Sequence, residues 1–111
     1  MLKQQYRLKK RYQFNYVYRV GKTCHGKFLL LVFSSSKNKN VKIGVSVSKK
    51  VGNSVKRNRV RRLIREAAKE YLNVMKINFN IIIVAKQAIE GKTLAEITED
   101  LGEVLKKADL V

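Results

Sequence analysis

The stretch from residue 55 to residue 75 reads VKRNRVRRLIREAAKEYLNVM, and this segment decides the fold. Its apolar residues recur at i, i+3, i+4 and i+7 over about four turns, which predicts an amphipathic helix. The residues of this apolar face are Val60, Leu63, Ile64, Ala67, Tyr71, Val74 and Met75. The basic, glycine-containing loop 49–54 precedes the helix, and either Asn53 or Ser54 is suited to cap its start.

The opposite face of this predicted helix is cationic. At 100° per residue, five polar side chains lie about 100° to 200° away from Val60. They are Asn58, Arg61, Arg62, Arg65 and Lys69. Like charges one turn apart weaken an isolated helix by about a few tenths of a kcal/mol per pair, so stability does not explain them. Guanidinium groups fork onto phosphates and stack on bases, so the face favours a nucleic-acid partner over a merely solvated surface.

Two further helices are predicted on either side of the long one. Residues 8–20 form a short amphipathic pattern that ends at Gly21, with Phe14, Val17 and Tyr18 on one face. Its aromatic side chains suit either the core or a groove that stacks unpaired bases. Thr93 to Glu96 is a capping-box pattern that opens a last helix. The apolar face of that helix carries Leu94, Ile97, Leu101, Val104 and Leu105.

The strands are predicted from apolar runs. Residues 28–33 are continuously apolar and residues 41–47 alternate, so these two strands are expected to pair as a hairpin through the polar turn 34–40. Residues 79–85 predict a central strand, and the sequence leaves room for one more short strand near 22–27. The order α-(β)-β-β-α-β-α predicts a single α+β domain over residues 1–111, with helices packed on a small mixed sheet.

Composition points to a polyanionic partner. The chain carries 25 Lys and Arg against 8 Asp and Glu, a net charge of +17, which a folded domain does not need for its own stability. Residues 90–111 hold six of the eight acids, so this last segment is expected to cover the core and face away from the partner. The single cysteine, Cys24, suits a reducing cytoplasm, and no apolar run approaches a membrane span of about 20 residues.

Residue types that carry hydrolytic chemistry are sparse. Glu66 and Glu70 are the only acids in the basic region, and the expected role of both is to pair with neighbouring bases. Cys24 and His25 stand alone, whereas a zinc site needs about four ligands, and both residues remain unexplained. We therefore predict no catalytic residue in this chain and leave any metal ligand unknown. A nuclease in its own right and a membrane-surface helix are both disfavoured.

Residues 44–66, GVSVSKKVGNSVKRNRVRRLIRE, closely resemble the signature of the bacterial ribonuclease P protein subunit. The resemblance implies a protein that assists a catalytic RNA in removing the 5′ leader of precursor tRNA. It implies Mg²⁺ held mainly by the RNA and the substrate, and no required protein or membrane partner. It also implies a left-handed crossover between parallel strands, where general rules predict a right-handed one. The alternative is a ribosomal or general RNA-binding protein without a catalytic partner.

The resemblance assigns two sets of residues. The first set binds the catalytic RNA: Lys56, Arg57, Asn58, Arg59, Arg61, Arg62 and Arg65. The second set lines a cleft for the single-stranded leader, between the first helix and the sheet: Phe14, Tyr18, Leu31, Lys49, Lys50 and Lys86. Leu31 departs from the family, which often has an aromatic residue there, so stacking on that side of the cleft is expected to be lost.

Overall fold

The computed structural model describes residues 3–37 and 39–111, so Met1, Leu2 and the predicted turn residue Asn38 lie outside the description. The described residues form three helices and four strands in the predicted order, including the short first strand. In chain order they are α1 (Arg11–Val20), β1 (Lys22–His25), β2 (Leu29–Ser35), β3 (Lys42–Ser46), α2 (Ser54–Lys69), β4 (Phe79–Ala85) and α3 (Leu94–Lys107).

The sheet has the strand order β1-β2-β4-β3, so the predicted hairpin between β2 and β3 is wrong. β4 lies between them, antiparallel to β2 and parallel to β3. Ile81, Ile82 and Ile83 are buried on both faces of β4, and a strand that is apolar on both faces belongs at the centre of a sheet. β3, α2 and β4 therefore form a parallel βαβ unit, and the left-handed sense of its crossover stays a prediction.

The sheet separates two layers of unequal size. On one face, α1 covers a small cluster that contains Leu8, Val17, Val32 and Ile82. On the other face, α2 and α3 cover the main core of twenty buried residues, whose strand side chains include Leu29 and Ile83. Burying an aliphatic side chain contributes about 1.5–3 kcal/mol, so most of the stabilisation comes from the layer of α2 and α3.

Two helices are shorter than predicted. α1 begins at Arg11 because Leu8 is extended and its amide donates to the Ile43 carbonyl at 2.9 Å, beside an isolated bridge between Arg7 and Ile43. α2 ends at Lys69 because the amides of residues 70–72 donate to carbonyls three residues earlier, whereas an α-helix requires bonds to carbonyls four residues earlier. Val74, predicted on the apolar face, is therefore exposed.

α3 confirms the predicted capping box. The Thr93 hydroxyl accepts from the Glu96 amide at 3.2 Å, and the Glu96 carboxylate accepts from the Thr93 amide at 3.1 Å. Leu94 is the first residue of α3 and is exposed, so it does not belong to the buried apolar face as predicted. Among residues 3–37 and 39–111, no helix has the length and apolar character needed to cross a membrane.

Candidate nucleic-acid interface

The first turn of α2 is fixed by its cap. The Asn53 side chain accepts a hydrogen bond from the Lys56 amide at 3.0 Å, so of the two predicted caps Asn53 is the one in place. A short 3₁₀ turn, Lys49–Val51, follows β3, and Val51 is buried in the main core. The basic loop is therefore anchored at both ends, and the arginines of the next turn start from a defined position.

The cationic face of α2, which we define as Asn58, Arg61, Arg62, Arg65 and Lys69, lies outside the core as the periodicity predicts. Arg62 and Lys69 are exposed, and Arg61 and Arg65 are half-buried. The Arg61 guanidinium donates to the Asn58 side-chain oxygen at 2.7 Å, which orders that guanidinium before any ligand binds. The predicted RNA-subunit residues on this face therefore stand together.

Three other predicted residues stand apart from the cationic face. The Lys56 ammonium pairs with Glu90 at 2.8 Å, on the side of α2 that faces the loop after β4. Arg59 lines a small cavity with the same two residues. Arg57 is half-buried, and its Nε is buried without a hydrogen-bond partner among the described residues. The cations of residues 56–62 thus divide between two sides of the helix.

Arg7 lies outside α2 but beside its cationic face, so the helical periodicity of α2 could not predict that this residue belongs to the site. It bridges Ile43, whose side chain lies in the main core, so Arg7 points toward the layer of α2. Burial, and then repulsion from Arg7 and Arg61, lowers the pKa of Arg65. Arg7 and Arg61 both place positive charge beside Arg65, so a phosphate is electrostatically favoured there.

On the opposite face of the sheet, α1 leaves part of the surface open. Leu30, Val84 and Ser46 lie side by side in register across β2, β4 and β3, and all three are half-buried. Leu30 and Val84 pack against the cluster that α1 covers, of which Phe14 is the partly buried edge. Tyr18 follows Phe14 by one helical turn and is 46% exposed. We call this surface the cleft.

Gly44 sets how closely Phe14 approaches the sheet. A Cβ on Gly44 would lie 2.5 Å from Cζ of Phe14, so any larger residue would displace the ring. A glycine inside an alternating strand is a sequence signal of close approach by another group, and here that group is the Phe14 ring.

Leu31 does not line the cleft, and that prediction is wrong. It is fully buried in the main core under α2 and α3, on the other face of the sheet. Side chains alternate along a strand, so a one-residue error in the position of β2 moves a side chain to the opposite face. Leu30 and Val32 are the residues of β2 that point toward α1.

The predicted lysines gather where β3 and β4 end. These two strands are parallel, so Lys49 and Lys50 after β3 lie at the same sheet edge as Lys86 after β4. Lys49 and Lys50 are exposed. The Lys86 ammonium donates to the Gly26 carbonyl at 2.7 Å, so it is held against the turn between β1 and β2. The cleft and the start of α2 therefore meet at one basic edge.

The turn between β1 and β2 is held in place by Asp100, a residue that was not predicted to have a structural role. Its carboxylate is 3% exposed and accepts three backbone N–H groups, from Lys27 at 2.9 Å, Phe28 at 2.8 Å and Leu29 at 3.2 Å. Three hydrogen bonds satisfy the buried charge and fix the turn on α3. Lys86 contacts the same turn, so Asp100 also fixes the surroundings of that lysine.

The two unexplained residues of β1 lie on opposite faces of the sheet. His25 pairs with Leu30, which places it beside the cleft, and it is exposed. Cys24 packs against the main core, with its sulfur 3.9 Å from the Val104 carbonyl. Within residues 3–37 and 39–111, no group of three or more His, Cys, Asp or Glu side chains stands close enough to hold a metal ion.

Comparison with known proteins gives a consistent result. A family model described as Ribonuclease P matches residues 2–109. The ribonuclease P protein component of Clostridium kluyveri is 42% identical over 108 residues, which cover 95% of this chain and 96% of that protein. A solved structure described as a Staphylococcus aureus RNase P protein mutant with defective mRNA degradation activity superposes with a TM-score of 0.87. It is 34% identical and covers 96% of this chain and 90% of its own.

Proposed function

This chain belongs to the ribonuclease P protein family, and we propose that it acts as the non-catalytic subunit of the holoenzyme. It is the protein component of the enzyme that matures the 5′ end of tRNA, and RNA is its partner. In the proposal, the partner is a catalytic RNA that performs the phosphodiester hydrolysis, and the substrate is precursor tRNA. No further protein partner is required.

The observation that carries the proposal is the arrangement of two different surfaces on the two faces of one sheet. The cationic face of α2 suits a folded RNA, because arginine guanidinium groups bind phosphate oxygens with two hydrogen bonds, and such contacts do not depend on the base sequence. We assign it to the catalytic RNA through Asn58, Arg61, Arg62 and Arg65, with Arg7 as an added contact. Lys56, Arg57 and Arg59 remain proposed contacts at the start of the same helix.

The cleft suits an unpaired strand. Aromatic rings stack on bases of any sequence, and lysines at the rim neutralise the backbone. We propose that the leader lies along Leu30 and Val84 against Phe14 and Tyr18, with phosphates near Lys49, Lys50 and Lys86. The shared basic edge then holds the leader and the catalytic RNA next to each other, which favours cleavage where the leader joins the tRNA.

The proposal also covers which molecules hold the Mg²⁺ ion and where in the cell the protein acts. Among the described residues no three His, Cys, Asp or Glu side chains stand close enough together to hold a metal ion, and we propose that the RNA and the substrate hold the Mg²⁺. A cytoplasmic location is proposed because the one cysteine, Cys24, excludes an intrachain disulfide.

The test is reconstitution at low Mg²⁺. We expect the protein alone to leave precursor tRNA intact, and the protein with a catalytic RNA of the family to release the leader. Cleavage by rigorously RNA-free protein would refute a non-catalytic role. Because one solved neighbour is described by a defect in mRNA degradation, the RNA-free arm should also include an unstructured RNA.

The same assay separates the alternative of a general RNA-binding protein. Such a protein would bind precursor tRNA and mature tRNA with equal affinity in the presence of the catalytic RNA. The proposed subunit should instead increase the affinity only for substrates that carry a leader.

A further inference from the structure

α1 crosses the middle of the sheet and leaves open surface on both of its sides. Asn80, Ile82 and Val84 point to the same face of β4, because they alternate along the strand. Ile82 is buried beneath α1, and Val84 lies in the cleft. Asn80 lies on the other side of α1, in a second depression that the function proposed above does not use.

This second depression is lined by α1 residues that point away from the cleft. Tyr16 and Tyr18 are two positions apart, so their side chains diverge by about 160° around the helix. Tyr12 and Tyr16 are 67% and 50% exposed, which is unusual for two aromatic side chains on one short helix. The Arg19 guanidinium lies over the Tyr16 ring, 5.6 Å from its centroid. We call this depression the outer groove.

The outer groove continues past Tyr16 along the end of β2. Here the lining includes Val20 of α1 together with Lys22 and its strand partner Phe33, so this part of the groove passes round the end of the sheet toward the main core. Phe33 and Phe79 pack edge to face with ring centroids 6.5 Å apart. Ser34 lies in the same wall, and its hydroxyl is buried with no hydrogen-bond partner among the described residues. Each half has a volume of about 600 Å³, and Tyr16 lines both.

The charge of the outer groove favours an anionic strand. Lys76 is paired with Asp109 at 3.2 Å, whereas the other two cations of the lining, Arg19 and Lys22, form no salt bridge within the described residues 3–37 and 39–111. Aromatic rings interleaved with cations bind unpaired nucleotides, because every base has a face to stack and every linkage carries one charge. A protein ligand would instead need a larger uncharged apolar surface.

We propose that the outer groove binds upstream nucleotides of the leader, after the strand has left the cleft. This inference rests on the proposed function. The outward side of α1 carries exposed side chains from the cleft to the outer groove, in the order Tyr18, then Asn15 and Arg19, then Tyr12 and Tyr16. Rings that can stack on bases and a cation that can contact a phosphate therefore continue over the helix from one site to the other. The protein then holds a long leader at two places, separated by the ridge of α1.

The experiment is a series of precursor tRNAs whose leaders lengthen by single nucleotides, measured with the reconstituted holoenzyme. The test variant is Tyr12→Ala with Tyr16→Ala, and both side chains are exposed, so folding should be retained. Leu94→Ala, which removes an exposed apolar side chain on α3, is the matched control. Tyr16→Phe retains the ring and should retain binding.

We expect wild-type affinity to rise in two steps as the leader lengthens. The double variant should lose the second step, about 100-fold in affinity for the longest leaders because two stacking rings are removed, and keep the first. An equal loss on short and long leaders, or no loss on either, would overturn the inference. A loss limited to unrelated single-stranded RNA would also overturn it. Failure of the proposed function looks different, because wild-type protein would then show no leader dependence at all.

Discussion

The two faces of the sheet differ in how much of their surface the helices cover. Under α2 and α3, twenty side chains are buried in one cluster, and the arginines stand outside it. Under α1, four side chains are buried, and aromatic residues remain exposed beside them. The well-covered face stabilises the fold and presents charge on its outside. The sparsely covered face leaves room for a strand to lie on the sheet.

The largest expected effect concerns the cationic face. Replacing Arg61, Arg62 and Arg65 together by Ala should weaken binding of the catalytic RNA by about 1,000-fold, because each removes a charge-assisted contact of about 1.5 kcal/mol. The log–log salt slope of binding should fall by about one unit per lost phosphate contact. Titrations at several salt concentrations measure both quantities.

A charge-matched control accompanies this variant. Lys3, Lys39 and Lys106 are exposed outside the cationic face, and replacing all three by Ala removes the same net charge. If this control weakens RNA binding as much as the arginine variant, net charge alone drives binding and α2 holds no defined site.

The next effect concerns the stability of the well-covered face. Asp100→Ala should lower the free energy of unfolding by about 2–4 kcal/mol, because three backbone N–H groups lose their acceptor. Chemical denaturation measures it. Glu103→Ala, an exposed change on the same helix, should fall within about 0.5 kcal/mol of wild type. Equal values for the two variants would show that Asp100 does not fasten the turn.

A smaller effect is expected in the cleft. Tyr18→Ala should weaken binding of leader-bearing substrate about tenfold and leave leaderless substrate unchanged, because one stacking surface is lost. Tyr18→Phe should bind like wild type. Affinity measured with both substrates decides the matter, and a loss shared by both would place Tyr18 outside the leader site.

The smallest effect is the pH dependence of the capping box. Hydrogen bonds from the Thr93 amide and hydroxyl lower the pKa of Glu96. The folded state therefore favours the ionised form, so this contribution is present above the unfolded pKa and is lost as pH falls through the folded one. Glu96→Gln should flatten that part of the acid-side stability profile. An unchanged profile would mean that the negative charge of Glu96 adds nothing to the stability of the folded state.

The elements with strong local signals were predictable. The apolar periodicities placed α2 and α3 from their own residues, and Thr93 with Glu96 marked the start of α3. β4 was predicted as central because it is apolar on both faces. These signals are local, since each depends on residues within a few turns of one another.

Two of the failures occur because distant segments decide the structure, and one occurs because the register within a strand was shifted. The hairpin failed because β4 separates β2 from β3, and nothing in residues 34–40 shows this. Leu31 was misplaced because one position of β2 changes the face of every side chain. The role of Asp100 was not predicted, because the three amides that donate to its carboxylate lie 71 to 73 residues earlier in the chain.

The most direct test of two separate surfaces is one titration experiment on the reconstituted holoenzyme. Affinity for leader-bearing and leaderless substrates is measured for Tyr18→Ala and for the arginine variant, with the catalytic RNA at saturation. We predict that Tyr18→Ala loses leader discrimination while binding the RNA normally, and that the arginine variant keeps discrimination once RNA is saturating. Loss of both properties in both variants would contradict the assignment of the two faces to two RNAs.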